Sequence, residues 1–299
     1  MTIKQRLETY ANVLENESMK KHTTFRIGGE VDYYIYPKSL LAFMQIIEIL
    51  EEEKIPFYVV GRGSNILCDD GHFHGAIINL DKTLNDFYFE ESGLLVAQAG
   101  CSLINLSVEA MKRSLTGLEF ASGIPGSVGG GLYMNAGAYN SNLSNLLIDV
   151  CVYRNHKVEW ISKDELDYGY RHSLFQSHKD WIILAGRFQL EKSDSKEIAK
   201  LMESRRNRRM TAQPLDKPCA GSIFRNPESI PAWQLIEKMG LRGYRIGGAS
   251  VSLKHCNFIV NENKDASAQD IRDLIKLIQT KAKEEYQIDL ITELEQLNW

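Results

Sequence analysis

Apolar and polar positions along the chain alternate in short blocks, which predicts brief strands set among a few amphipathic helices. Residues 2–14 read as a short helix capping the fold, and residues 24–36 as extended chain bent at Gly28 and Gly29. Ser39 stands as the N-cap of a helix whose Leu40, Leu41, Phe43, Met44, Ile46, Ile47 and Leu50 cover one wide face. Phe57, Tyr58, Val59 and Val60 then predict a strand running straight into Gly61-Arg62-Gly63-Ser64-Asn65, and residues 76–80 predict another. This order predicts a small α/β unit with a loop at a strand end.

Past Leu94 the pattern changes. Residues 94–99 predict a strand, 103–111 a helix, and 117–137 a long irregular stretch rich in glycine. Residues 147–153, 157–161 and 181–190 have the character of a β-meander, and 195–210 of a polar helix. Pro214 and Pro218 mark a plausible domain boundary. Beyond them, residues 222–224, 249–253 and 257–260 are strand candidates, and Ser267 N-caps an amphipathic helix with Ile271, Leu274, Ile275 and Ile278 inward. A last strand is expected over residues 288–294.

Composition narrows the class without naming a chemistry. A chain of 299 residues, 43% hydrophobic and 25% charged, is ordinary globular material with enough apolar surface for its own core. A net charge of −4 offers no general attraction to nucleic acid or anionic lipid. The five cysteines, Cys68, Cys101, Cys151, Cys219 and Cys256, lie far apart and fit a reducing compartment. The mixed-charge N-terminus is no signal peptide, and Gln45 and Glu48 interrupt the most apolar run. A cytoplasmic protein with no membrane span and no evident protein partner is expected.

Two glycine loops carry the candidate chemistry. Residues 123–131, Gly-Ile-Pro-Gly-Ser-Val-Gly-Gly-Gly, expose backbone N–H groups of the kind that cradle a phosphate, and Gly61 to Asn65 do the same after a strand. Neither loop matches a common fingerprint. The dinucleotide pattern needs glycine where Ile66 stands, and a P-loop needs Lys-Ser/Thr where Leu132 and Tyr133 follow Gly131. Two tight turns would be the plain alternative.

Four segments taken in order go further: Gly-Arg-Gly-Ser-Asn-Ile-Leu from Gly61, the stretch from Gly117 to Tyr139, Gly-Tyr-Arg-His-Ser-Leu-Phe from Gly169, and Ala-Gly-Ser-Ile-Phe-Arg-Asn-Pro from Ala220. Together they resemble the UDP-N-acetylenolpyruvoylglucosamine reductase (MurB) family over nearly the whole chain. The short interval from Arg171 to Ser222 resembles the shorter type, without the tyrosine-loop insertion. The resemblance implies an α+β chain: an FAD-binding fold of the vanillyl-alcohol-oxidase (PCMH) type in two subdomains, residues 1–82 and 83–211, plus a C-terminal α/β substrate-binding domain, residues 212–299. It implies bound FAD, NADPH as co-substrate, and reduction of UDP-N-acetylglucosamine enolpyruvate to UDP-N-acetylmuramate for peptidoglycan synthesis.

The same resemblance assigns residues. Gly61, Arg62, Gly63, Ser64, Asn65, Ser122, Gly123, Ile124, Gly126, Ser127, Gly130 and Gly137 are expected at the FAD. Arg171 matches the catalytic arginine, Ser222 the proton donor, and Glu293 the C-terminal glutamate, with Glu295 two positions on as its alternative. Arg225 and Asn226 are expected at the nucleotide-sugar; apart from the resemblance, the basic run Arg205, Arg206, Arg208, Arg209 offers Arg209 for the diphosphate, although it also reads as a solvated helix face. His72 and His74 on a strand would point their rings to one side, beside Asp69 and Asp70. No third ligand is evident nearby and Gly71 suggests a turn, so no metal is expected. Two other readings stay open: another FAD-dependent oxidase or dehydrogenase of the same fold, and a non-catalytic nucleotide-binding protein.

Overall fold

The structure, a computed structural model, describes residues 1–298. They form two compact units that interleave along the chain: residues 1–15, 33–62 and 75–208 make one, and residues 16–32, 63–74 and 209–298 the other.

The first unit is built on two sheets. A four-stranded sheet has the order Ala11–Ser18, Glu30–Pro37, Phe73–Asn79, Phe57–Val60, the last two parallel with Val59 opposite Ile78. The Leu40–Glu52 helix buries Phe43, Ile46, Ile47 and Leu50 with Leu7, Ile35, Ala76 and Ile78, and Ser39 caps it by accepting from the Ala42 N–H at 3.1 Å. A five-stranded antiparallel sheet has the order Lys157–Ser162, Leu147–Arg154, Ile182–Gln189, Leu94–Gln98, Phe87–Phe89. Its inner residues Val150, Val152, Phe188, Leu95 and Ala97 share a core with Leu106, Phe120 and Leu132.

The second unit is organised by the Ala268–Tyr286 helix, whose Ile271, Leu274, Ile275 and Ile278 pack with Leu235, Ile236, Phe224, Val251 and Ile259. A three-stranded sheet orders Arg245–Ile246, Ala249–Val251 and Ile259–Val260, and Glu295–Leu297 pairs in parallel with Ile66–Cys68.

Three expectations about elements need correction. The first helix stops at Tyr10, because Ala11 turns extended (φ −142°, ψ 166°) and residues 11–18 join the sheet, with Ala11 and Val13 buried. The stretch 117–137 is not wholly irregular. It holds a helix, Val128–Tyr133, through three successive glycines, each unfavourable by about 1 kcal/mol relative to alanine. Packing overrides propensity there: a Cβ on Gly129 would meet Ala99 at 3.1 Å, and one on Gly131 would meet Leu143 Cδ1 at 2.7 Å. The last regular strand is Glu295–Leu297 rather than residues 288–294, of which Thr292 makes an isolated bridge to Phe224.

Candidate active site

In the first unit Gly61, at the start of the first glycine loop, meets the second glycine loop at Ser127. The Gly61 carbonyl accepts from Asn79 Nδ2 at 3.1 Å, and a Cβ on Gly61 would lie 2.3 Å from Ser127 Oγ. Only a residue without a side chain allows that approach. Ser127 Oγ in turn accepts from the Gly130 N–H at 3.3 Å. The segment through Ser127 is held to its neighbour by Leu103 N–H to the Gly126 carbonyl (3.1 Å) and Val128 N–H to the Cys101 carbonyl (2.9 Å). That register leaves the N–H groups of Gly126 and Ser127, like those of Gly61 and Arg62, without a backbone carbonyl partner among the described residues. Ser122 Oγ donates to the Glu119 carbonyl at 2.8 Å, while the Glu119 carboxylate, itself buried, takes Thr116 Oγ1 and the Gly117 N–H. Gly123 ends the turn that starts at Glu119, and the Ile124 N–H closes it on the Ala121 carbonyl at 3.0 Å.

Asp81 adds an unsatisfied acceptor beside this cradle. Its Oδ1 is buried with no hydrogen-bond partner among the described residues, and Arg62 Nε lies 3.9 Å from its Oδ2. Burial pushes the Asp81 carboxyl above its ordinary range, against the pull of Arg62. Unpaired N–H donors, a side-chain-free approach at Gly61 and an orphaned buried acceptor are what a dinucleotide with a pyrophosphate and polar bases or ribityl groups requires. The residues of this unit fit FAD.

Arg171 lies in the same unit. It is a non-glycine residue in the left-handed region (φ 53°), at the tip of a turn in which Gly169 and His172 exchange N–H···O bonds of 3.1 and 3.2 Å. The turn is pinned from outside. Asn135 Nδ2 donates to the Gly169 carbonyl (2.8 Å), Gln176 Nε2 to the Arg171 carbonyl (3.0 Å), and buried Ser173 Oγ to the Tyr133 carbonyl (2.6 Å). Held so, the guanidinium lies over the Tyr170 ring, 5.2 Å from its centroid, and donates to the Gly137 carbonyl at 2.9 Å. His172 Nε2 lies 3.2 Å from Asp167 Oδ2. The Tyr168 hydroxyl is buried without a hydrogen-bond partner among the described residues, and burial pushes its phenol up.

The second unit brings Ser222 and Glu293 to one place. Gly221 reaches φ 81° with nothing near its would-be Cβ, so conformation rather than space requires glycine there. The following residues pair antiparallel with the C-terminal segment: Glu293 N–H donates to the Ile223 carbonyl and Arg225 N–H to the Ile291 carbonyl, both at 2.8 Å. Asn65, at the end of the first glycine loop, clamps that segment by donating through Nδ2 to the Glu293 carbonyl (2.8 Å) and accepting from the Glu295 N–H (3.0 Å). Gly63 of the same loop (φ 64°) packs against the His22 carbonyl, and Ser64 lies half-buried beside it.

Buried Asn257 holds the Ser222 segment from the other side. Its amide exchanges both hydrogen bonds with the Phe224 backbone (3.0 and 2.8 Å), and its carbonyl accepts from the Ile223 N–H at 2.9 Å. Nothing singles out Asn257 or Asn79 in the sequence, and Asn135 stands in the Gly117 to Tyr139 motif with no role attached to it. Three buried asparagines bonded to backbone are the positioning residues that sequence reasoning missed.

The remaining residues divide. Arg225 is half-buried, with its Nε buried and unpartnered among the described residues, as suits an anionic ligand. Asn226 Oδ1 accepts from the Ala232 N–H at 3.0 Å, at the head of the Ala232–Lys238 helix, which gives it a structural duty. On the Ser195–Ala212 helix Arg205 and Arg209 are half-buried on one side, while Arg206 and Arg208 face solvent. Arg205 sits over the Tyr139 ring at 4.9 Å. All five cysteines are unpaired, and among the described residues no helix is long and apolar enough to cross a membrane.

Comparison with known proteins agrees with this layout. Residues 31–155 match the profile of an FAD binding domain, and residues 213–297 that of the UDP-N-acetylenolpyruvoylglucosamine reductase C-terminal domain. Proteins named UDP-N-acetylenolpyruvoylglucosamine reductase from Bacillus pumilus and Bacillus subtilis are each 41% identical over 284 residues, which cover 95% of this chain and 93% of theirs. The crystal structure of UDP-N-acetylenolpyruvylglucosamine reductase (MurB) from Thermus caldophilus aligns with a TM-score of 0.81 at 30% identity, over 97% of this chain and 100% of that one.

Proposed function

The chain belongs to the UDP-N-acetylenolpyruvoylglucosamine reductase family, and we propose that it reduces the enolpyruvyl group of UDP-N-acetylglucosamine enolpyruvate, giving UDP-N-acetylmuramate for peptidoglycan synthesis. FAD, when bound, would supply hydride chemistry, with NADPH as the electron source. Gly61 to Asn65, Ser122 to Ser127, Gly130 and Gly137 are the residues that would hold the FAD, in the parts of the chain spanning residues 1–82 and 83–211. Residues 212–299 would bind the nucleotide-sugar. The unpaired thiols support a reducing, cytoplasmic setting.

The observation that carries the reading is Arg171, held in a left-handed turn with its guanidinium on the Gly137 carbonyl. Hydride addition to the terminal methylene of an enol ether needs the electrons of the double bond to move toward the carboxylate. A fixed guanidinium suits that developing charge, since it is always protonated and offers a planar fork of donors. Ser222 then gives its proton to the adjacent carbon, which completes a two-electron reduction of the double bond. Glu293 lies in the strand pairing that positions Ser222, and shares the work of organising the substrate carboxylate. Arg225, Asn226 and Arg209 would meet the nucleotide-sugar, with the buried Arg225 Nε supporting an anionic partner.

Ser222→Ala tests the division of labour. Reduction of the flavin by NADPH should proceed at close to the parent rate, and reoxidation by the enolpyruvyl nucleotide should slow by about 10²-fold or more. Equal losses in both half-reactions would remove Ser222 from the proton-donor role.

A further inference from the structure

We infer that Asp32, His72 and His74 form a surface site for one divalent first-row transition ion, such as Zn²⁺ or Ni²⁺. The sequence shows only the His-x-His pair, and the third ligand comes from the neighbouring strand. Glu30–Pro37 and Phe73–Asn79 are adjacent in the four-stranded sheet. Their ends are brought together by glycine. The Gly29 N–H donates to the Asp69 carbonyl at 2.7 Å, and a Cβ on Gly29 would lie 2.0 Å from the Gly71 carbonyl oxygen. Asp32 therefore faces His72 and His74 through backbone packing rather than through chance side-chain contact.

The donor atoms converge. Asp32 Oδ1 lies 2.6 Å from His72 Nε2 and 3.5 Å from His74 Nδ1, and one donor atom from each residue falls within 4.8 Å of the others. The two imidazoles stack with centroids 4.6 Å apart. Ligands at about 2.0–2.2 Å from a tetrahedral ion stand roughly 3.3 Å apart, so the His74 distance already fits. The His72 distance is a hydrogen bond that an ion would replace after a small rotation of Asp32. With Nε2 on the ion, His72 would present Nδ1–H toward Glu30 Oε2, 3.9 Å away, in the carboxylate–histidine–metal arrangement that fixes ring orientation. Two imidazoles and one carboxylate select zinc, nickel, cobalt or copper over magnesium or calcium, and three protein ligands leave a position for water.

The test uses tag-free, flavin-loaded protein titrated with Zn²⁺ or Ni²⁺ by calorimetry, and with Co²⁺ by visible absorbance. One ion per chain should bind, with a Kd of about micromolar order. His74→Ala and Asp32→Asn should each weaken binding at least tenfold, and H72A/H74A should abolish it together with the metal-dependent rise in Tm. The His74 side chain is 84% exposed, so its loss leaves folding intact. Cys219→Ser, which removes a partly accessible thiol, should bind like the parent. Binding that survives H72A/H74A or vanishes in Cys219→Ser would overturn the proposal, as would a parent protein that takes up no ion.

Discussion

Arg171 shows how one residue is prepared for the role proposed for it. A left-handed backbone costs a side-chain-bearing residue about 1–2 kcal/mol, and the Asn135, Gln176 and Ser173 hydrogen bonds around the turn hold it there. Arg171→Lys keeps the charge but loses the planar fork. Transfer to the enolpyruvyl nucleotide should slow by about 10²-fold while the protein stays yellow, as followed by stopped-flow absorbance. An unchanged transfer rate would show that charge alone, or another group, does the work. Gly61 gives a prediction of the opposite kind, since it concerns cofactor rather than chemistry. Gly61→Ala places a methyl group 2.3 Å from Ser127 Oγ and should release flavin on gel filtration. Adding Ser127→Ala should recover part of the lost flavin, because the obstructing atom is gone. A single variant that keeps full flavin content would mean that the loops do not need this close approach.

Among the elements, the helices were the most legible, because their caps are local. Ser39, Ser102 and Ser267 each accept from the N–H three residues on, and Ser39 and Ser267 read plainly as caps in the sequence. Asp270 extends the cap at Ser267: it accepts from the Ser267 N–H at 3.0 Å and from the Gly248 N–H at 3.1 Å. Burial raises its pKa, but these hydrogen bonds outweigh burial and leave it lowered. A depressed carboxyl contributes stability above its unfolded pKa of about 3.9, and that stability is lost as pH falls through the folded value. Asp270→Ala should therefore cost about 1 kcal/mol at pH 7 by urea unfolding, and the gap to the parent should close at strongly acid pH. A gap constant with pH would mean that packing, not the carboxylate, is responsible. The Val128–Tyr133 helix was illegible for the reverse reason: its glycines answer to Ala99 and Leu143, remote in sequence. The C-terminal strand was displaced because its pairing with Ile66–Cys68 is set by Asn65, more than two hundred residues away.

For the molecule as a whole, the α+β class and the FAD-binding character could be read from motif order, whereas the interleaving of the two units could not. Residues 16–32 and 63–74 pack with the C-terminal segment, and their own apolar residues, Phe25, Ile27 and Leu67, give no local sign of it. Motif order in the sequence named Arg171 and Ser222 as candidates, and Glu293, outside the four motifs, came only from the resemblance of the C-terminal segment. The candidate site was not legible at Asn79, Asn135 and Asn257, whose importance lies in bonds to distant backbone. The central claim joins the flavin cradle to those motif residues in one reductive reaction, and anaerobic reoxidation tests it most directly. Protein first reduced with one equivalent of NADPH is mixed with UDP-N-acetylglucosamine enolpyruvate without oxygen. The expected result is rapid return of oxidised-flavin absorbance with one equivalent of UDP-N-acetylmuramate formed. Flavin that stays reduced until air is admitted, with peroxide as the product, would contradict the account.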